Sequence, residues 1–271
     1  MRTLYKIWLV TWITFVDCLR NKALYGILFM GVILFSANII FTGMFSWEPG
    51  KVAVDMGLST ISFAGLIVVF FLCMTMLAGD FERKTIYLIL ARPITRTHYI
   101  IGKFTGLGLI VLISSTILGI CAACSISIST LAMGMPIANN FSWGMFTLSV
   151  FFQTLSLLVL LALAFLWTML TSNQFTAMIL TLMSYFVGQN MENVKNIITS
   201  NKLLSPDSLS LKAMEIASWI FPNLAVFDIK TTIAHGLSLG FGEMTKIVLY
   251  GFFYASICLC LNIIIFQKRE I

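Results

Sequence analysis

Few residues in this chain have the types and spacing that chemistry needs. Cys121-Ala-Ala-Cys124 has the spacing of a dithiol redox pair or of two soft-metal ligands, and Cys258-Leu-Cys260 places two more thiols close together. Both pairs lie in apolar runs with no histidine or carboxylate near in sequence, so they read first as small apolar side chains packing inside helices. Five of the six cysteines lie in such runs, which speaks against a disulfide framework. His98 and His235 are far apart and form no dyad. Gly102-Lys103 is followed by Phe104 and lacks the upstream glycine of a phosphate-binding loop; Gly236-Leu-Ser-Leu-Gly240-Phe-Gly242 lacks the lysine. Nucleotide hydrolysis by this chain alone is therefore not expected, nor is a bound metal or cofactor. What remains is charge. The chain has only 17 Lys and Arg and 11 Asp and Glu, yet seven of these (Asp80, Glu82, Arg83, Lys84, Arg92, Arg96 and Lys103) crowd into Gly79–Lys103.

The elements around that stretch are apolar. Of 271 residues 59% are apolar, and the mean hydropathy is +0.97. That leaves too little polar surface to cover a soluble fold. Runs of about 20 apolar residues can each cross a hydrocarbon core of about 30 Å. The pattern predicts an all-α integral membrane protein with six transmembrane helices, near 23–45, 57–79, 102–133, 144–170, 175–191 and 245–266. Residues 3–22 carry Leu4, Trp8, Trp12, Phe15 and Leu19 at helical spacing. Their apolar core is too short to span, so an interfacial helix is expected. The apolar run Ile7–Leu19 is interrupted by Asp17 and followed by no small-residue cleavage site, unlike a signal peptide. Residues 192–243 read as short helices on the far side of the membrane, with Ser205-Pro206-Asp207 as one start and Pro222 as a break. The chain is expected to be one domain, 1–271.

Charge sets the orientation. With six spans and both ends in the cytoplasm, 11 of the 17 basic residues fall inside, including all six arginines, against four of the 11 acids. The positive-inside rule is then satisfied, and it accounts for the net charge of +6 without nucleic acid. No expected span has an acid or base at its centre, which argues against an ion-coupled pump. It also leaves a membrane enzyme without its chemistry. Asn38, Thr75, Ser114, Ser115, Gln153 and Ser184 read as interhelical hydrogen-bonding groups. The Gly79–Lys103 loop then lies in the cytoplasm. Glu82 to Arg92 can form a short amphipathic helix, which Pro93 ends. Ile94-Thr-Arg-Thr97 makes a turn, and Gly102-Lys103 re-enters the membrane. By composition alone the charges suit either lipid headgroups or another protein.

The series Glu82-Arg83-Lys84-Thr85-Ile86, Leu90-Ala91-Arg92-Pro93-Ile94-Thr95-Arg96 and Gly102-Lys103 resembles the cytoplasmic loop of type 2 ABC exporter permeases. Phe221-Pro222-Asn223-Leu224 and Phe227-Asp228 resemble a segment before the last span in permeases close to the nitrous-oxide-reductase maturation permease. The resemblance covers nearly the whole layout. It implies a coupling helix between spans two and three (loop 80–98), with Glu82, Arg83, Lys84, Thr85, Arg92, Pro93 and Arg96 docking on a separate ABC ATPase subunit. Gly102 and Lys103 would mark re-entry, and Pro222, Asn223, Phe227 and Asp228 an extracytoplasmic motif. It further implies a second permease copy or paralogue, a path at the dimer interface lined mainly by spans two and five, ATP and Mg on the partner, and a bacterial or archaeal cytoplasmic membrane. It says little about substrate. The chain lacks regularly spaced aromatics of the kind that would favour a carbohydrate. The alternative is a permease-like component that moves nothing and transmits ATPase motion to, or anchors, an extracytoplasmic protein.

Overall fold

The computed structural model describes residues 2–44, 49–73, 76, 79, 95–133, 141–171, 173–193, 220–230 and 240–268. Among them every regular element is helical. The helices are α1 (Arg2–Arg20), α2 (Lys22–Met44), α3 (Pro49–Ile67, continued by a π-helical stretch Val68–Cys73), α4 (Arg96–Met133), α5 (Trp143–Leu170), α6 (Gln174–Gln189) and α7 (Phe241–Lys268), with a 3-10 turn at Leu224–Phe227 between the last two. Among the described residues four segments are long and apolar enough to cross a membrane: Gly50–Phe71, Arg96–Leu131, Trp143–Leu170 and Phe241–Lys268. The chain is thus a multi-pass helical membrane protein.

Helix α5 is apolar on all sides and sits in the middle, against α3, α4, α6 and α7. Around it the core forms two main layers. One holds Val69, Tyr99, Leu107, Leu157, Phe165 and Phe266, near the start of α4; the other holds Phe35, Val54, Ile126, Phe152, Leu224 and Phe227, near the far end. The buried polar groups link helices, as expected for three of them. Asn38 Nδ2 donates to Ser125 Oγ at 3.2 Å, joining α2 to α4. Thr154 donates to Ser115 Oγ at 2.9 Å, joining α5 to α4, and Trp167 Nε1 donates to Ser184 Oγ at 2.8 Å, joining α5 to α6. Gln153 is also buried, but its Nε2 has no partner among the described residues. Thr75 lies outside the described residues.

Two helix starts differ from expectation. Helix α3 begins at Pro49 rather than near residue 57, taking in Lys51 and Asp55. Proline suits a first helical turn, where its missing N–H is not needed, and the Asp55 side chain is exposed. Helix α4 begins at Arg96, about two turns before Gly102. Thr95 caps it: the backbone N–H of His98 donates to Thr95 Oγ1 at 3.4 Å, and that hydroxyl lies 2.7 Å from His98 Nδ1. At 38 residues α4 is about 57 Å long, well beyond a hydrocarbon core of about 30 Å.

Candidate functional site

The loop residues Glu82, Arg83, Lys84, Thr85, Arg92 and Pro93 lie outside the described residues. What the structure does describe is the place where that loop leads. Its last described position, Thr95, opens α4, and the first turns of α4 hold three other parts of the chain.

One face of α4 carries Arg96, Tyr99 and Lys103, spaced i, i+3 and i+7 and so stacked along the helix. Arg96 Nη1 donates to the carbonyls of Phe266 at 2.8 Å and Gln267 at 3.1 Å, in the last turn of α7. Its guanidinium carbon lies 5.5 Å from the Phe266 ring centroid. The Phe266 and Tyr99 rings pack with centroids 6.1 Å apart, and Lys103 Nζ lies 5.7 Å from the Tyr99 centroid. Lys103 is only 7% exposed, and its ammonium donates to the carbonyl of Met76 at 3.1 Å, in the segment leaving α3.

The adjoining face belongs to α1. A Cβ added at Gly102 would lie 2.7 Å from Val10 Cβ and 3.0 Å from the Ile7 carbonyl; at Gly106 it would lie 2.8 Å from Thr14 Cβ and 2.9 Å from the Thr11 carbonyl. These two glycines, four residues apart, let the backbones approach as small residues do between membrane helices. Beside them the hydroxyls of Thr11 and Thr105 are 2.7 Å apart. The Cys18 thiol donates to Met76 Sδ at 3.1 Å, so α1 also touches the segment leaving α3. Helix α1 turns Leu4, Tyr5, Trp8, Trp12 and Ile13 outward. Gly102 and Lys103 therefore sit inside α4, Gly102 against α1 and Lys103 buried toward the segment leaving α3.

The second motif, Pro222, Asn223, Phe227 and Asp228, forms a buried turn at the opposite end of the bundle. The Asn223 backbone N–H donates to Tyr250 Oη at 2.8 Å, and Tyr254 Oη donates to the carbonyl of Ile220 at 2.9 Å. Phe227 packs on Tyr250 with centroids 6.0 Å apart. Asp228 pairs with Lys230 at 3.3 Å. Leu224 and the Pro222 carbonyl press on α6, where a Cβ at Gly188 would lie 2.8 Å from Leu224 Cγ and from that carbonyl. The motif thus fastens the turn to α6 and α7. Gly188→Ala is expected to lower the stability of the purified protein by about 1–3 kcal/mol, because the backbone oxygen cannot step aside. Gly26→Ala, which meets nothing within 4 Å, should not. Thermal unfolding in detergent compares the two.

Cys121 and Cys124 sit on successive turns of α4, the first half-buried and the second exposed. Among the described residues no three His, Cys, Asp or Glu side chains gather as a metal site would require. The residues that sequence reasoning missed are Tyr99, Gly106, Thr11, Thr105 and Phe266. The glycine pair Gly102/Gly106 was the one local signal available; Phe266 joins Arg96 across 170 positions of sequence.

A search of the curated proteins finds no match. The pattern of the family described as ABC-2 family transporter protein matches residues 8–270. With an apolar multi-span bundle and nearly the whole chain matched, this protein belongs to the ABC-2 family of transporter membrane proteins, transport subunits whose family typically works with ABC ATPase partners.

Proposed function

We propose that the chain is the membrane-spanning subunit of an ATP-driven exporter. It pairs with a second permease copy or a paralogue, and separate ABC ATPase subunits, which carry ATP and Mg, dock on its loop 80–94. One juxtaposition supports this reading. The loop with the chain's densest charge leads into Thr95, and the next turns of α4 hold α1, the segment leaving α3 and the end of α7. A force applied at that loop meets four helices within about three turns.

In this reading α2 and α6 complete six crossings. Helix α2 has 23 residues, about 34 Å, enough to cross; α6, with 16 residues, is the shortest. Six crossings place both termini and the loop in the cytoplasm and the Pro222–Asp228 turn outside, in the inner membrane of a bacterium or archaeon. That turn is our reason for setting the chain nearest the nitrous-oxide-reductase maturation type of permease.

Co-expression with an ABC ATPase of the same organism provides the test. The two should purify together, and the permease in liposomes should raise ATP turnover above that of the ATPase alone. A permease that neither binds nor stimulates the ATPase contradicts the proposal.

A further inference from the structure

Arg96 falls within the charged loop by sequence, but its guanidinium is half-buried and reaches the end of α7. The last carbonyls of a helix have no partners within the helix and carry the negative end of its dipole. Arg96 Nη1 meets two of them, from Phe266 and Gln267 at 2.8 and 3.1 Å. Arginine stays charged, so these are charge-assisted bonds. The same guanidinium lies over the face of Phe266, whose ring is fully buried. Phe266 packs on Tyr99, and Tyr99 carries Lys103 above its ring.

Lys103 makes the arrangement more than packing. An ammonium that is 7% exposed is costly to bury, and an aliphatic side chain would fill the same space without that cost. Here the cation is satisfied by the Met76 carbonyl, a few residues beyond the π-helical stretch Val68–Cys73, and by the Tyr99 ring. The result is a ladder of cation, ring, ring and cation along α4. One end grips the last turn of α7 and the other grips the segment leaving α3. On the adjoining face Gly102 and Gly106 seat α1, so a roll of α4 off the ladder also disturbs that contact.

We propose that Arg96, Tyr99 and Lys103 are positioning residues that lock the start of α4 to the end of α7 and to the exit of α3, so that these three move as one body when the loop is displaced, and that Arg96 is no part of the ATPase-docking surface. This rests on the exporter reading for its purpose, but the lock itself does not.

The test uses the intact permease–ATPase complex in lipid nanodiscs, with Arg96→Ala, Arg96→Lys, Lys103→Met and, as the docking comparison, Glu82→Ala. Arg96→Ala is expected to bind the ATPase with unchanged affinity yet lose about tenfold of the permease-stimulated ATP turnover, the scale of one charged hydrogen bond. Arg96→Lys, which keeps the cation, should recover most of that loss. Lys103→Met should show the same split between affinity and turnover. A general folding defect would not be rescued by lysine. Loss of ATPase binding by Arg96→Ala comparable with that of Glu82→Ala would overturn the proposal, as would unchanged turnover. Should the unmodified chain bind no ATPase, the exporter reading fails instead. Amide exchange in the last turn of α7 then decides the lock: faster exchange in Arg96→Ala supports it, and unchanged exchange refutes it.

Discussion

Valine at both Gly102 and Gly106 is expected to lift α1 off α4 and to uncouple the permease from its ATPase. At each site the added Cβ would come within 2.7–3.0 Å of α1, and at each one of the obstructing atoms is a backbone carbonyl oxygen. Such overpacking costs about 1–3 kcal/mol per site. The two sites share one interface, so their effects will not simply add. The Thr11–Thr105 hydroxyl contact at 2.7 Å is lost with them, as is the seat that places Cys18 against Met76. The expected result is a lower unfolding temperature in detergent together with reduced stimulation of ATP turnover. Gly26→Val tests a glycine in α2 with nothing near it. It should change neither. Equal damage from Gly26→Val would show that valine harms any helix here, not the α1 seat.

The second large effect concerns the loop itself. Reversing Glu82, Arg83 and Arg92 (Glu82→Lys, Arg83→Glu, Arg92→Glu) is expected to weaken ATPase binding by at least about a hundredfold, since close charge pairs across an interface couple by about 1.5–7 kcal/mol. The loss should appear in co-purification and should grow smaller as salt is raised, because exposed charges are screened. Folding should be unaffected. If the charges served lipid headgroups alone, binding of the ATPase would survive reversal, and only the membrane's anionic-lipid dependence would change.

Much of this architecture was legible in the sequence, for physical reasons that also explain the misses. Hydropathy located α5 and α7 within a few residues, since long apolar runs have little choice but to cross. The spacing of Leu4, Trp8 and Trp12 marked α1 as a helix with one apolar face, and that face is turned outward. Asn38, Ser115 and Ser184 were legible as interhelical groups, but their partners Ser125, Thr154 and Trp167 depend on packing that no local pattern encodes. The start of α4 was set too late because Arg96 and Lys103 look like residues that belong in water. Their charges are instead met by carbonyls from α7 and from residue 76. The start of α3 was set too late for a similar reason: Lys51 and Asp55 resemble a loop, while Pro49 opens a helix there. The motif at 222–228 was legible as a motif, but not as a buried wedge between α6 and α7. The neighbours that make it one, Gly188 and Tyr250, lie more than 20 residues away in sequence.

That an ATPase pushes on the loop ahead of α4 is the central claim of the exporter reading. Its most direct test is a photo-crosslinking side chain at Thr85 in the reconstituted complex, with one at Phe241, 85% exposed at the far end of the bundle, for comparison. The expected result is a covalent product joining Thr85 to the ATPase and none from Phe241. A Thr85 probe that labels only lipid or solvent, in a preparation where the ATPase is bound and active, would contradict it.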